Sequence, residues 1–321
     1  MNLGKLANEY LVSRVSDIPK LPNIEKSEDI ADQIYKYLTT SKFRRHSMTQ
    51  GYDLNIKTII SQSISENKAI PLVWVFGCYK LWRLKESPCV DWSELFFIMH
   101  KIDWLKPILA IYKPGIEFDF FADGILVPKL NNISEKDIED YKNSFLVLLE
   151  YINARTPKNL NFTLHTLASL YESRQAFDTE FNENYKNVLE KDNITPYILS
   201  DEQKLVIQMN VKTDKMLTDQ QLHQNQLLFE TFVLSSKRRP YYRNTEKIFL
   251  DSFPIKNCLP IGSTRSSAVR FWIGKGVLRK YKQSYIEEIV SIKQLDNLKL
   301  IKFNTGFNEL GKNFETIDVV E

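Results

Sequence analysis

The run Pro71-Leu-Val-Trp-Val-Phe76 constrains the fold more than any other part of the chain. Its residues are all apolar, with β-branched and aromatic side chains and no alternation of inward and outward positions. A strand of that kind must be covered on both faces, as the central strands of parallel sheets are. The strand is predicted over Ile70–Gly77, with Gly77 ending it. A charged loop follows, and Asp91-Trp-Ser-Glu94 opens a helix expected to reach about Trp104. Ile108–Tyr112 is a short apolar piece turned by Lys113-Pro-Gly115. Ile116–Phe121 reads as a second strand, ending in Ala122-Asp123-Gly124. Strand, helix and strand, with polar residues where strands end, is the order of an α/β protein.

Helical spacing marks Leu3–Val15, Asp29–Leu38 and Asp53–Ser65. Ser134 caps a helix to about Asn153, with Asp137 at its third position. Leu160–Thr166 is a candidate strand. The polar stretch Tyr171–Lys215 reads as helical, and Ser200…Gln203 and Thr218…Gln221 both fit the capping box. Extended segments are expected at Lys247–Asp251, Asn257–Gly262, Val269–Ile273 and Lys299–Phe303. The whole, residues 1–321, reads as a single α/β domain with helical N-terminal and central additions, the latter a helical insertion over 167–240.

A chain of 321 residues can bury a large core. Its net charge of +3 argues against nucleic acid as a partner, because backbone binding needs a larger, clustered excess. Three scattered cysteines give no disulfide framework, and the four histidines have no ligand spacing, so no metal is expected. The N-terminus carries no apolar leader and no run is long enough to span a membrane, which points to a cytoplasmic protein. No cofactor is expected, because the 10 glycines form no phosphate loop.

Four constellations are candidates for chemistry. Lys80, Arg83 and Lys85 follow the central strand, where cations can hold a phosphate or carboxylate; the plainer reading is a solvated loop. Asp91 and Glu94 are either a helix cap with its reciprocal partner or contacts for a substrate amine, and the cap alone suffices to explain them. Asp123 before Gly124 either closes a turn or binds an amine, a metal or a hydroxyl, with Asp119 nearby. Arg265, in Ile261-Gly-Ser-Thr-Arg265-Ser-Ser267, and Arg270 can cradle an anion or lie on an ordinary surface loop. His165 lies in an apolar run and is expected to be a hydrogen-bonded interior residue.

The motifs Ile70-Pro-Leu-Val, Phe76-Gly and Lys80, Asp91-x-x-Glu94, Ile111-Tyr-Lys-Pro-Gly115, Ala122-Asp-Gly124 and Tyr141 occur in an order that resembles the isocyanide synthase (pyoverdine/dityrosine biosynthesis) family. Arg44-Arg45 resembles a paired-arginine segment upstream in that family. The sequence departs from the pattern at Phe76–Arg83, which lacks a Pro and an Asn; at Ala122, which replaces a serine; and at Phe271-Trp-Ile-Gly274, where Pro-Trp-His is the family element. The resemblance implies a Rossmann-like, mostly parallel sheet flanked by helices. It also implies metal-free conversion of an amino-acid amine, typically of tyrosine or tryptophan, to an isonitrile, with carbon from ribulose 5-phosphate. On this reading Glu94, Asp123 and Lys80 are catalytic, while Arg83, Lys85, Arg265 and Arg270 bind substrate and its phosphate. The expected partners are then small molecules, an amino acid and a sugar phosphate. The competing readings are a metal-dependent nucleotide-sugar transferase using Asp119 and Asp123, and a non-catalytic α/β binding or effector protein.

Overall fold

In the computed structural model, residues 3–18, 30–40, 43, 52–76, 80, 87–122, 124–234, 259–261 and 274–321 are described. The apolar run forms β1 (Ile70–Phe76), which lies between β2 (Ile116–Ala122) and β4 (Leu259–Pro260); β3 (Leu160–Thr166) lies beyond β2. All these pairings are parallel. The order β3-β2-β1-β4 reverses direction beside β1, and in open α/β sheets ligands bind beyond the strand ends at such a reversal.

Helices cover both faces, as continuous burial of β1 requires. Alternation along β2 sends Phe118 and Phe120 to one face, where Tyr141, Phe145 and Leu148 pack from α6 (Glu135–Asn153) and Leu95 packs from α4 (Trp92–Ile111). Val73 and Phe121 face the other way. They meet Phe177 and Phe181 of α7 (Arg174–Ile194) and Phe232 of α9 (Asp219–Leu234). The remaining described helices are α1 (Leu3–Ser16), α2 (Ile30–Leu38), α3 (Tyr52–Ser65), α5 (Val127–Asn131), α8 (Asp201–Asn210) and α10 (Ile292–Leu295). The expected caps at Ser134, Ser200 and Thr218 are all formed. Among the described residues no helix is long and apolar enough to cross a membrane.

Two features depart from the sequence expectation. The helix expected to end near Trp104 runs on to Ile111 through Pro107, absorbing the apolar piece beyond it. An interior proline costs about 3 kcal/mol. Burial of Leu105, Ile108 and Leu109 around it offsets that cost. The second departure is a further sheet, with β5 (Gly274–Tyr281), β6 (Ser284–Ser291), β7 (Leu300–Asn304) and β8 (Thr316–Val320) in the order β6-β5-β8-β7. Only β7 was anticipated. The β5–β6 turn places Lys282, not a glycine or asparagine, at φ 55°, so it carries no hairpin signal. The expected segments Lys247–Asp251 and Val269–Ile273 lie outside the described residues, as do Asn257, Cys258 and Gly262 of the segment Asn257–Gly262, whose described part holds β4.

Two glycines hold elements close. Gly115 has φ 74°, and a Cβ there would stand 1.8 Å from the Asn159 carbonyl oxygen, so only glycine permits the turn into β2. At Gly276 a Cβ would come within 2.6 Å of the Ser93 backbone nitrogen, so the glycine lets β5 lie against the first turn of α4. At the open edge of the parallel sheet, the Asn153 side chain accepts from the Phe162 N–H at 2.9 Å and donates to its carbonyl at 2.8 Å, which occupies groups that another chain would otherwise pair with.

Lys101 sits on the buried side of α4, only 2% exposed. Its Nζ lies 4.2 Å from the Trp104 ring centroid, 4.6 Å from Trp74, 4.8 Å from Phe97 and 6.0 Å from Phe43. Burial pushes its pKa down to about 7. An unfolded lysine titrates near 10.5. Between about 7 and 10.5 the unfolded chain therefore binds the extra proton, and this residue makes stability rise with pH across that window. Below it the folded state bears the whole cost of a charge in an aromatic cage. Lys101→Met should accordingly stabilise the protein more at pH 6 than at pH 9.5 in urea unfolding. An equal effect at both pH values would contradict this account of Lys101.

Candidate functional site

Beyond β1 the chain turns Lys80 back into the interior, where it is 4% exposed. Its three ammonium hydrogens have three kinds of partner: Ser93 Oγ at 2.6 Å, Asp91 Oδ1 at 2.7 Å, and the Glu94 carboxylate at 2.7 and 2.8 Å. The partners are placed by the start of α4. Asp91 is its N-cap and accepts from the Ser93 N–H at 2.8 Å; Glu94 Oε2 accepts from the Asp91 N–H at 2.9 Å. One capping box thus aims two carboxylates at one ammonium. From α6 the buried Tyr141 hydroxyl donates to Glu94 Oε1 at 3.2 Å.

The electrostatics follow from burial and charge count. Burial works against the Lys80 charge, but Asp91 and Glu94 overcome it and hold the ammonium above its ordinary range. Burial also opposes the Asp91 charge; there Lys80 and the Ser93 hydrogen bonds win, and the carboxyl is held below its usual range. Glu94 goes the other way. Burial raises it, Lys80 lowers it, and the Asp91 charge tips the balance upward. Of the two carboxylates sharing one cation, Asp91 is held the more firmly as an anion and Glu94 is the more readily protonated.

The start of α4 is fixed from three sides. The Ser144 hydroxyl of α6 accepts from the Val90 N–H at 3.0 Å. Trp92 Nε1 donates to the Thr316 carbonyl of β8 at 2.7 Å, and Asn313 Nδ2 donates to the Val90 carbonyl at 3.0 Å. Between this helix start and the second sheet lies a cavity of about 600 Å³ whose lining includes Cys89, Asp91, Lys275, Lys312 and Asp318. The Asp91 side chain is 26% exposed, so it joins the buried cluster to the cavity.

Of the residues singled out in the sequence, Lys80 and Glu94 are brought into direct contact. Asp123, Arg83, Lys85, Arg265 and Arg270 lie outside the described residues. The solvated-loop reading of Lys80 fails: the ammonium is committed to internal partners. The capping geometry expected of Asp91 and Glu94 is present, and it is the same geometry that positions their oxygens on Lys80. Sequence reasoning gave no role to Ser93, and it placed Tyr141 only as the last motif of the family resemblance, with no contact assigned to it. The i+2 position of Ser93 after the cap was the available signal for the first; the bond from Tyr141 to Glu94 is a tertiary contact with no local trace. His165, expected in the interior, is instead partly exposed, with Nε2 3.7 Å from Asp119 Oδ1. No group of three or more His, Cys, Asp or Glu side chains is placed to hold a metal ion among the described residues.

Neither protein-family models nor curated proteins match the sequence. Among solved structures, the chain is similar to the PvcA protein of Pseudomonas aeruginosa, with a TM-score of 0.60 at 15% identity, over 86% of this chain and 97% of that one. At that identity the likeness establishes a shared α/β fold.

Removing one member of a buried ion cluster leaves the others uncompensated, at a cost of about 3–5 kcal/mol. Lys80→Met should lose that much stability in chemical denaturation. A loss below about 0.5 kcal/mol, the usual range for an exposed position, would mean that Lys80 faces solvent after all.

Proposed function

We propose that this chain is a biosynthetic enzyme of the isocyanide synthase type, converting an amino-acid amine to an isonitrile with carbon from a pentose phosphate. The observation that carries the reading is the Lys80–Asp91–Glu94–Tyr141 cluster. Residues from three motifs whose order resembles that family lie in one contact network just beyond β1. The fold shared with PvcA supports the same reading. In this scheme Asp91 meets the substrate ammonium at the cavity edge. Glu94 takes up the amine proton, passed through the Lys80 ammonium that bonds both carboxylates. Asp123 supplies a further carboxylate after β2. Arg83 and Lys85, in the segment after β1, and Arg265 and Arg270, in the segment after β4, hold the sugar phosphate.

The test is to incubate the protein with tyrosine or tryptophan and ribulose 5-phosphate and to look for the isonitrile by mass spectrometry. Product is expected with one of them, and Glu94→Gln should lower kcat by about 10²-fold or more, the range of acid–base contributions. Absence of product with every aromatic amino acid would overturn the proposal.

A further inference from the structure

On β2, Asp119 shares a face with Phe121, away from α4. It is 0% exposed. Its Oδ1 accepts from the Thr163 hydroxyl at 3.0 Å, while Oδ2, equally buried, has no hydrogen-bond partner among the described residues. An orphaned carboxyl oxygen is costly unless something else answers it. Two residues along β3 from Thr163, and so on the same face, stands His165. Its Nε2 is 3.7 Å from Asp119 Oδ1, and its side chain is 37% exposed. A polar path therefore leads from a sealed carboxyl, through an imidazole, to solvent near the carboxyl end of the sheet.

We propose that Asp119 and His165 form a proton-handling pair on the α7/α9 face of the parallel sheet, in which His165 takes a proton from a hydroxyl of the bound sugar phosphate and Asp119 is its buried partner. The ligand class rests on the function proposed above; the pair itself does not.

Among the described residues the charged and titratable surroundings are few. Glu117 lies on the same strand and face, Val73 faces Asp119 from β1, and α7 and α9 bring Phe177, Phe181 and Phe232. Burial pushes Asp119 up to about 8; the Thr163 hydroxyl opposes the rise, Glu117 adds to it, and the His165 backbone opposes it. At neutral pH the carboxyl is thus an acid whose Oδ1 can accept Nε2–H from the imidazole. That contact tightens when a ligand closes on it, and it leaves Nδ1 as the base. The step breaks one O–H bond of the sugar and forms Nδ1–H, leaving the electron pair on the sugar oxygen and an imidazolium beside Asp119. The imidazolium charge in turn favours ionisation of Asp119.

Two measurements on the full chain test the pair. In the first, diethyl pyrocarbonate modification of His165 is followed by peptide mass spectrometry from pH 6 to 9. The rate should inflect near the Asp119 titration at about 8 and lose that inflection in Asp119→Asn. Identical profiles would overturn the pair. If Asp119→Asn does not fold, Thr163→Val serves instead: removing the bond that lowers Asp119 should move the inflection upward, and an unmoved inflection overturns the pair. In the second, His165→Ala should lower kcat for isonitrile formation by about 10²-fold with KM kept, and added imidazole should restore part of it. A loss that imidazole leaves unrescued marks a structural role and overturns the inference. If the wild-type protein forms no isonitrile, the proposed reaction falls, and the modification profile alone decides the pair.

Discussion

An ammonium taken out of water must have its charge answered by neighbours, and much of this molecule is arranged around that requirement at Lys80. Asp91, Glu94 and Ser93 answer it, and all three are placed by one helix start. The capping box is therefore more than a terminus. It joins the end of β1, through Lys80, to the axis of α4, and α4 in turn packs its long apolar face against the sheet. Breaking the cap would release the carboxylates from the ammonium; removing the ammonium would leave two carboxylates buried side by side.

The same helix start is the meeting point of the two sheets. Gly276 lets β5 approach it, Trp92 reaches the β8 backbone, and Asn313 holds the residues before the cap. The cavity forms where these contacts leave space, and Asp91 is the group that belongs both to the cluster and to the lining. A rigid frame on three sides holds Asp91 and Glu94 in fixed geometry, which is what positioned proton transfer needs. Further along α4 an unlike solution appears. Lys101 has aromatic faces in place of carboxylates, and its proton affinity falls accordingly.

What the sequence made legible was local. The unbroken apolar run of β1, the Ser134 cap and the β3 segment each carry a short-range pattern, and each forms where expected. What it concealed was tertiary. Lys80 reads as one more charge in a charged loop, because nothing beside it in sequence reveals that it turns inward onto a helix start. The second sheet was hidden by two glycines in β5 and by a hairpin turn made at a lysine. Pro107 marks a stop by local rule, yet the apolar residues on either side carry the helix past it. His165 was judged by its apolar neighbours Phe162 and Leu164. Strict alternation sends those two to one face, and Thr163 and His165 to the face where Asp119 lies.

On the proposed function, the cluster, the helix start and the cavity make one account, in which the ion network presents Asp91 to a ligand beyond the strand ends. A crystal structure of the protein soaked with tyrosine and ribulose 5-phosphate tests that account most directly. It predicts ligand density in the cavity with the amine within hydrogen-bonding distance of the Asp91 carboxylate. Ligand bound elsewhere on the molecule, with Asp91 untouched and the cavity filled by solvent alone, would contradict it.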